Sequence, residues 1–399
     1  MRTLKFILFS FLISFLNPQK VFSQDNEILD SLKIKVNPYG SFRGHFAIFN
    51  KEVEFQENAS RIGLQLGIVK KEYEFFFGAE LGINLFKSSS QFNFDGNNAS
   101  GFFIIQNDQA NQVFNTRLGY MGLKMGKYGT ISVGKQWSVF YDITSYTDKF
   151  NVFGARGSST FIAGTDGGAS GTGRADQALI YRNDIGALRF GLQLQAKNTI
   201  NNNFIDGFGA SLQWQIIDML KAGVSFSRSY VNDELVEELN ILGYNDDHVY
   251  FGAGLSYDND GLSLSAIYTQ HENGDLTRGF RDASLEDGLG PTIVFDAYGF
   301  EFFARYNWNK FGILAGYNYY EPDLEEIERI AEDLPLNANF KTRDVLLGFE
   351  FRPSRFTFIY SEFRFANSED AIGVADEDVF TLGIKIQADK IFNKTISLN

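Results

Sequence analysis

The feature that most restricts this chain is the spacing of its apolar residues, which fall on every second position in stretch after stretch. Ile62, Leu64, Leu66 and Ile68 alternate with Arg61, Gly63, Gln65 and Gly67. Leu188, Phe190, Leu192 and Leu194 alternate with Arg189, Gly191, Gln193 and Gln195, and Phe380, Leu382, Ile384 and Ile386 with Thr381, Gly383, Lys385 and Gln387. Successive side chains of a strand point to opposite faces, so each stretch has an apolar side and a wet side. No segment carries the roughly 18 consecutive apolar residues of a spanning helix, so a membrane could be crossed only by strands closed into a barrel.

Sixteen strands are expected, at 34–49, 59–69, 73–86, 114–125, 128–141, 177–184, 187–198, 206–216, 219–231, 247–257, 260–272, 295–309, 311–321, 341–352, 355–365 and 378–388. Tight turns such as Val69 to Glu72, Gly126-Lys127, Tyr257 to Asp260 and Asn309-Lys310 alternate with loops of about 7 to 37 residues. Short turns at one end and long loops at the other are the asymmetry of an outer-membrane barrel. An even strand count lets the first strand pair with the sixteenth and removes every edge. In 114–125, 128–141, 177–184 and 355–365 both faces carry apolar groups, as expected in an oligomer or beneath a loop folded into the lumen.

Composition agrees: 42 Phe and 18 Tyr against 6 Pro favour strands, and the absence of Cys excludes disulfides and thiolate metal sites. The N-terminus MRTLKFILFSFLISFLNPQKVFSQ has Arg2 and Lys5 ahead of an apolar run from Phe6 to Leu16, the pattern of a secretory signal peptide. Cleavage is expected between Gln24 and Asp25, leaving residues 25–399 as one domain. The leader holds three of the 36 basic residues and none of the 49 acidic ones, so its loss takes the net charge from −13 to −16. Nucleic acid is an improbable partner for so acidic a chain.

Two loops carry helix-like spacing, 233–242 and 324–334, where Leu324, Ile327, Ile330, Ala331 and Leu334 fall on one face; a solvated acidic loop is the alternative. Of the three histidines, His45 lies on the predicted lumen face and His248 alternates with Tyr250 and Gly252; none has a flanking motif for catalysis or metal binding, so no enzyme activity and no cofactor are expected. The stretch GTDGGASGTG lacks the lysine of a phosphate loop. Asp258-Asn259-Asp260-Gly261 lacks the later glutamate of a calcium loop and reads as a hairpin turn.

The segment RLGYMGLKMGKYGTISVGKQWSVFYDITSYTDKF (117–150), continued by ALIYRNDIGALRFGLQLQAKN (178–198), resembles the general diffusion porins of Gram-negative outer membranes, as do PYGSFRGHFAIF (38–49) and SRIGLQLG (60–67). The resemblance implies a sixteen-stranded antiparallel transmembrane β-barrel, trimeric, whose third loop folds inward so that its carboxylates face a ladder of basic residues. The basic wall would comprise Arg43, Arg61, Lys135 and Arg182, and the loop would contribute Asp148, Arg156 and Asp166. Arg61 shares its face with Gly63 and Gln65, and Arg182 with Asp184, whereas Lys135 shares its face with Ile131, Val133 and Trp137, so its placement rests on the resemblance alone. The family's Pro-Glu-Phe-Gly-Gly-Asp motif is here Asn151-Val152-Phe153-Gly154-Ala155-Arg156, without the glutamate and with an arginine added.

Opposed charge rings tune ion selectivity, so weakening the acidic ring shifts the constriction toward anions, while acidic outer loops push the other way. Outer-membrane lipid and lipopolysaccharide are the implied surroundings, and ions and small hydrophilic solutes the cargo of a passive channel. A channel preferring phosphate, nucleotides or sugars is suggested by Arg43, Arg61, Arg182, Arg189 and Arg305 on the predicted lumen face; a plugged barrel with a surface interaction role is the other reading. At the C-terminus, either Phe392 serves as the aromatic that such barrels present on insertion, or the last strand ends near Gln387 and the tail is periplasmic.

Overall fold

The computed structural model describes residues 32–57, 59–84, 113–161, 165–196, 204–231, 247–278, 292–325, 337, 339–370, 373–388 and 394–398. Alternation has produced sixteen strands. They are β1 Leu32–Phe49, β2 in two runs (Glu52–Glu57 and Arg61–Lys70), β3 Tyr73–Ile83, β4 Phe114–Met125, β5 Thr130–Trp137, β6 Arg174–Ile185, β7 Leu188–Gln195 and β8 Gly207–Ile217. Then follow β9 Leu220–Ser229, β10 His248–Asn259, β11 Leu262–Arg278, β12 Thr292–Trp308, β13 Phe311–Pro322, β14 Thr342–Phe351, β15 Thr357–Ala366 and β16, again in two runs, Val379–Gln387 and Lys394–Leu398.

Each strand pairs antiparallel with its neighbours in sequence, and β1 closes the sheet against β16. The closing seam has two parts. Ser41 to Ile48 lie opposite Gln387 to Phe380, and Leu32 to Val36 lie opposite Leu398 to Lys394. The first run ends at Gln387, and the tail beyond it pairs again, through Lys394 to Leu398, with the start of β1. Phe392 lies outside the described residues.

The first connection also differs from the expected loop at 50–58. Asn50 and Lys51 alone join β1 to β2, with Phe49 opposite Glu52. Both have positive φ, 39° and 66°, as a two-residue hairpin with the right twist requires. Asp258 to Gly261 form the expected hairpin turn, with Asn259 opposite Leu262. The helix-like segment 233–242 lies outside the described residues; of 324–334 only Leu324 and Glu325 are described, and they are helical.

Burial inverts that of a soluble barrel. Phe46, Leu66, Phe77, Leu192, Phe302 and Ile384 are exposed on the outer face, while the alternate positions Ser41, His45, Gln193, Ser227, Glu301 and Glu362 are buried on the inner one. Lipid covers such a surface, and the stacked rings of Tyr306 and Trp308, 6.1 Å apart beside a short turn, suit the membrane interface. Two of the strands with apolar groups on both faces, β6 and β15, lie under the third external segment. Ala178 and Ile180 of β6 pack against Val139 and Ala175, and Tyr360 of β15 against Val152 and Phe153.

Candidate pore constriction

The segment between β5 and β6 turns into the barrel and is held there at successive points. Ser138 Oγ donates to the Thr172 carbonyl at 2.7 Å and accepts the Tyr141 N–H at 3.0 Å. That bond starts a one-turn helix α1, Tyr141–Thr144. Trp137 stacks on Tyr141 at 4.0 Å, and Ile143 and Tyr146 pack on Ile267 of β11. Past the helix, Lys149 Nζ reaches Ser265 Oγ of β11 at 3.1 Å.

The segment then docks on the opposite wall through two barrel carboxylates. Glu362 of β15 accepts the backbone N–H groups of Asn151, Val152 and Phe153 at 2.6, 2.7 and 3.3 Å. Glu301 of β12 accepts those of Gly157 and Ser158 at 3.0 and 2.6 Å, and the Thr147 hydroxyl. Both carboxylates are about 1% exposed. Hydrogen bonds to charged groups are each worth about 1.5–3 kcal/mol. Val152 and Phe153 bury themselves among Ala47, Leu346, Tyr360 and Val379, adding roughly 1.5–3 kcal/mol per side chain. At Gly299 the fit is closest, for a Cβ there would lie 1.6 Å from the Gly157 carbonyl oxygen.

The expected site residues divide into two groups. Arg61 and Arg43 line the wall near the segment: Arg61 Nε lies 3.7 Å from Glu80, and Arg43 donates to the Asn151 carbonyl at 3.2 Å. Asp148 accepts from the Tyr141 hydroxyl at 2.8 Å. Burial raises its carboxyl above the ordinary range, against the Tyr141 hydrogen bond and the positive field of Arg43, Arg117 and Arg61.

The second group anchors the segment through closed ion pairs. Arg182 clamps its root, with Nε and Nη2 on the Asp142 carboxylate at 3.1 Å each, and it donates to the carbonyls of Trp137 and Ser138. Lys135 departs from the parity of its neighbours because the ladder shifts between Gly134 and Gln136. Gly134 sits there at φ 124°, with no room for a Cβ. The Lys135 ammonium lies 2.6 Å from Asp166 and 2.8 Å from Asp176. Arg156, 5% exposed, pairs with Asp344 at 2.6 Å and Asp376 at 2.7 Å. Lys135 and Arg156 are thus each matched by two carboxylates.

Sequence reasoning missed Arg117, whose Nε is 2.7 Å from Glu80, so one carboxylate serves two guanidinium groups. A register shift between Glu80 and Leu81 hides it from period-2 counting. Glu301 and Glu362 were missed although the signal was present: each stands beside phenylalanine on an outward-facing alternation, in FEFF and SEFR. His45 contacts Gln56, while His271 stacks on Tyr320 at 5.9 Å.

Comparison with known proteins places the architecture. The profile of the family described as Gram-negative porin matches residues 93–387. Outer membrane protein Omp-EA of Erwinia amylovora is 24% identical over 298 residues, covering 68% of this chain and 74% of that protein. Outer membrane porin PhoE of Enterobacter cloacae is 27% identical over 284 residues, covering 68% and 73%. Among solved structures, Salmonella typhi OmpF in complex with daunomycin shares the fold with a TM-score of 0.65 at 19% identity, over 88% of this chain and 97% of that one. The anion-selective porin of Comamonas acidovorans aligns with a TM-score of 0.61 at 16% identity, over 89% and 99%. A closed sixteen-stranded barrel, apolar without and polar within, crossed by its third external segment and matched over most of its length by the family's profile, belongs to the Gram-negative porins, channels of the outer membrane.

Proposed function

We propose that Arg43, Arg61 and Arg117 on the wall and Asp148 on the inward segment form the constriction of a passive channel for ions and small hydrophilic solutes. The carrying observation is the charge balance: three guanidinium groups surround two carboxylates, Glu80 and Asp148. Such a surplus favours weak anion preference. Lys135, Arg156 and Arg182 act as anchors of the segment, because the ion pair of each joins segment to strand: Lys135 of β5 to Asp166, Arg156 to Asp344 of β14, and Arg182 of β6 to Asp142. The working unit is a homotrimer in outer-membrane lipid and lipopolysaccharide, formed after removal of residues 1–24.

Single-channel recording in planar bilayers tests this reading. A steady ohmic conductance with a reversal potential of weak anion preference under a KCl gradient is expected. Arg61→Glu should move that potential toward cations; an unmoved potential removes Arg61 from the constriction.

A further inference from the structure

We propose that the barrel holds an oxyanion-binding subsite between the inward segment and the wall formed by β1, β12 and β14–β16, on the short-turn side of the segment. It rests on the reading of the chain as a passive channel, and adds to it a place where an anionic solute pauses. The cavity there encloses about 300 Å³, at the lower end of the range small-molecule sites occupy, about 300–1,000 Å³.

Its lining is basic. Arg43, Lys149, Arg305, Arg352 and Lys385 supply five positive groups, against Asp148 and Glu350. The negative groups are already engaged. Glu350 accepts from Arg305 at 3.0 Å, from Arg352 at 2.6 Å and from Asn151 Nδ2 at 3.1 Å, while Asp148 accepts from Tyr141. Three guanidinium N–H groups are not engaged: Nε of Arg43, of Arg305 and of Arg352 is buried with no hydrogen-bond partner. Those Nε atoms are closed off within the wall, but Arg43 spends one terminal nitrogen on the Asn151 carbonyl and Arg305 and Arg352 one each on Glu350, which leaves further guanidinium N–H groups around one small cavity for a ligand with several acceptor oxygens. Guanidinium geometry selects a carboxylate or phosphate for that role.

The walls also describe the rest of the ligand. Phe150 and Phe358 line the same cavity, and Phe358 carries Arg352 at 5.0 Å and Lys385 at 5.4 Å from its ring centroid. The occupant is a compact organic oxyanion with an apolar body. Arg305 stands close to the turn after Trp308 and Arg352 at the end of β14, so the subsite opens toward the short-turn end, the periplasmic face of such barrels. The cavity shares Arg43 and Asp148 with the constriction, whereas the Glu80 cluster of the constriction lies on β2–β4.

Phenyl phosphate is the probe, with uncharged phenyl glucoside as the control of similar shape. The full-length protein is reconstituted in planar bilayers and chloride current is recorded while each compound is added to the short-turn side. Phenyl phosphate should block saturably and phenyl glucoside should not. Arg305→Gln with Arg352→Gln should raise the half-blocking concentration at least about tenfold, as expected for loss of charged hydrogen-bond donors. Lys385→Gln alone, a milder change, should raise it in the same direction. Saturable block by both compounds, block by neither in a conducting channel, or an unchanged half-blocking concentration in both variants overturns the subsite and leaves the channel reading intact. Absence of ohmic conductance from the folded parent protein overturns the channel reading and the subsite with it.

Discussion

Glu362 on β15 receives the backbone N–H of Val152 at 2.7 Å from across the lumen, so a strand carboxylate fixes a segment 210 residues distant in sequence. The same carboxylate takes the N–H groups on either side, and its burial leaves water no route to replace them. Glu362→Gln keeps the size but offers one acceptor oxygen where two served. With a loss of about 1.5–3 kcal/mol per charged bond removed, the segment should detach intermittently, and current traces should show added open-channel noise or a larger conductance state. Traces indistinguishable from the parent would mean that Val152 and Phe153 hold the segment without Glu362.

At Gly299 the constraint is steric. Any side chain there collides with the Gly157 carbonyl, so Gly299→Val must push the segment off β12 while the outward face of that strand is untouched. The barrel should still run as a folded band on unboiled gels, and its unit conductance should differ from the parent. Equal conductance would show that the segment can dock without this contact.

Lys149 gives the channel a pH dependence. Burial lowers its ammonium to about 8, helped by the positive charges of Lys221 and Arg305 and opposed by Asp258. The group is therefore charged below that value and neutral above it, so anion preference should fall as pH rises from about 7 to about 9, where an unshifted lysine would stay charged. Reversal potentials under a KCl gradient should show the step, and Lys149→Gln should lack it. Persistence of the step in that variant would assign the titration to another group.

Arg156 sits between Asp344 and Asp376, and the Asp344 side chain is fully buried. Removing one partner of a buried pair costs about 3–5 kcal/mol because the other charge is stranded. Arg156→Met should lower the midpoint of thermal or denaturant unfolding, while Arg156→Met combined with Asp344→Asn should recover part of the loss. No recovery in the double variant would mean that the pair itself contributes nothing beyond packing.

Much of this architecture was legible in the sequence because a two-residue period maps directly onto an inner and an outer face. Ile62 to Ile68 or Leu188 to Leu194 need no partner to declare their orientation, and turn spacing then sets the strand count. Parity fails where the ladder shifts register. Lys135 follows one such shift and Arg117 another, so the first was placed by resemblance and the second overlooked. The docking of the inward segment was hidden for a different reason. Asn151 and Glu362, or Gly157 and Glu301, become neighbours only once the barrel has closed, and no local pattern encodes a meeting across 211 or 144 residues.

The two-part seam has a consequence for assembly. Across the seam, among the described residues, Leu32 to Val36 pair with Leu398 to Lys394, beyond the run that already closes the middle of the barrel. A chain cut at Gln387 would be cylindrical at its waist and frayed at its foot, with backbone donors and acceptors of β1 open to other chains. The short final run thus works as a latch, telling a finished barrel from one that has merely curled.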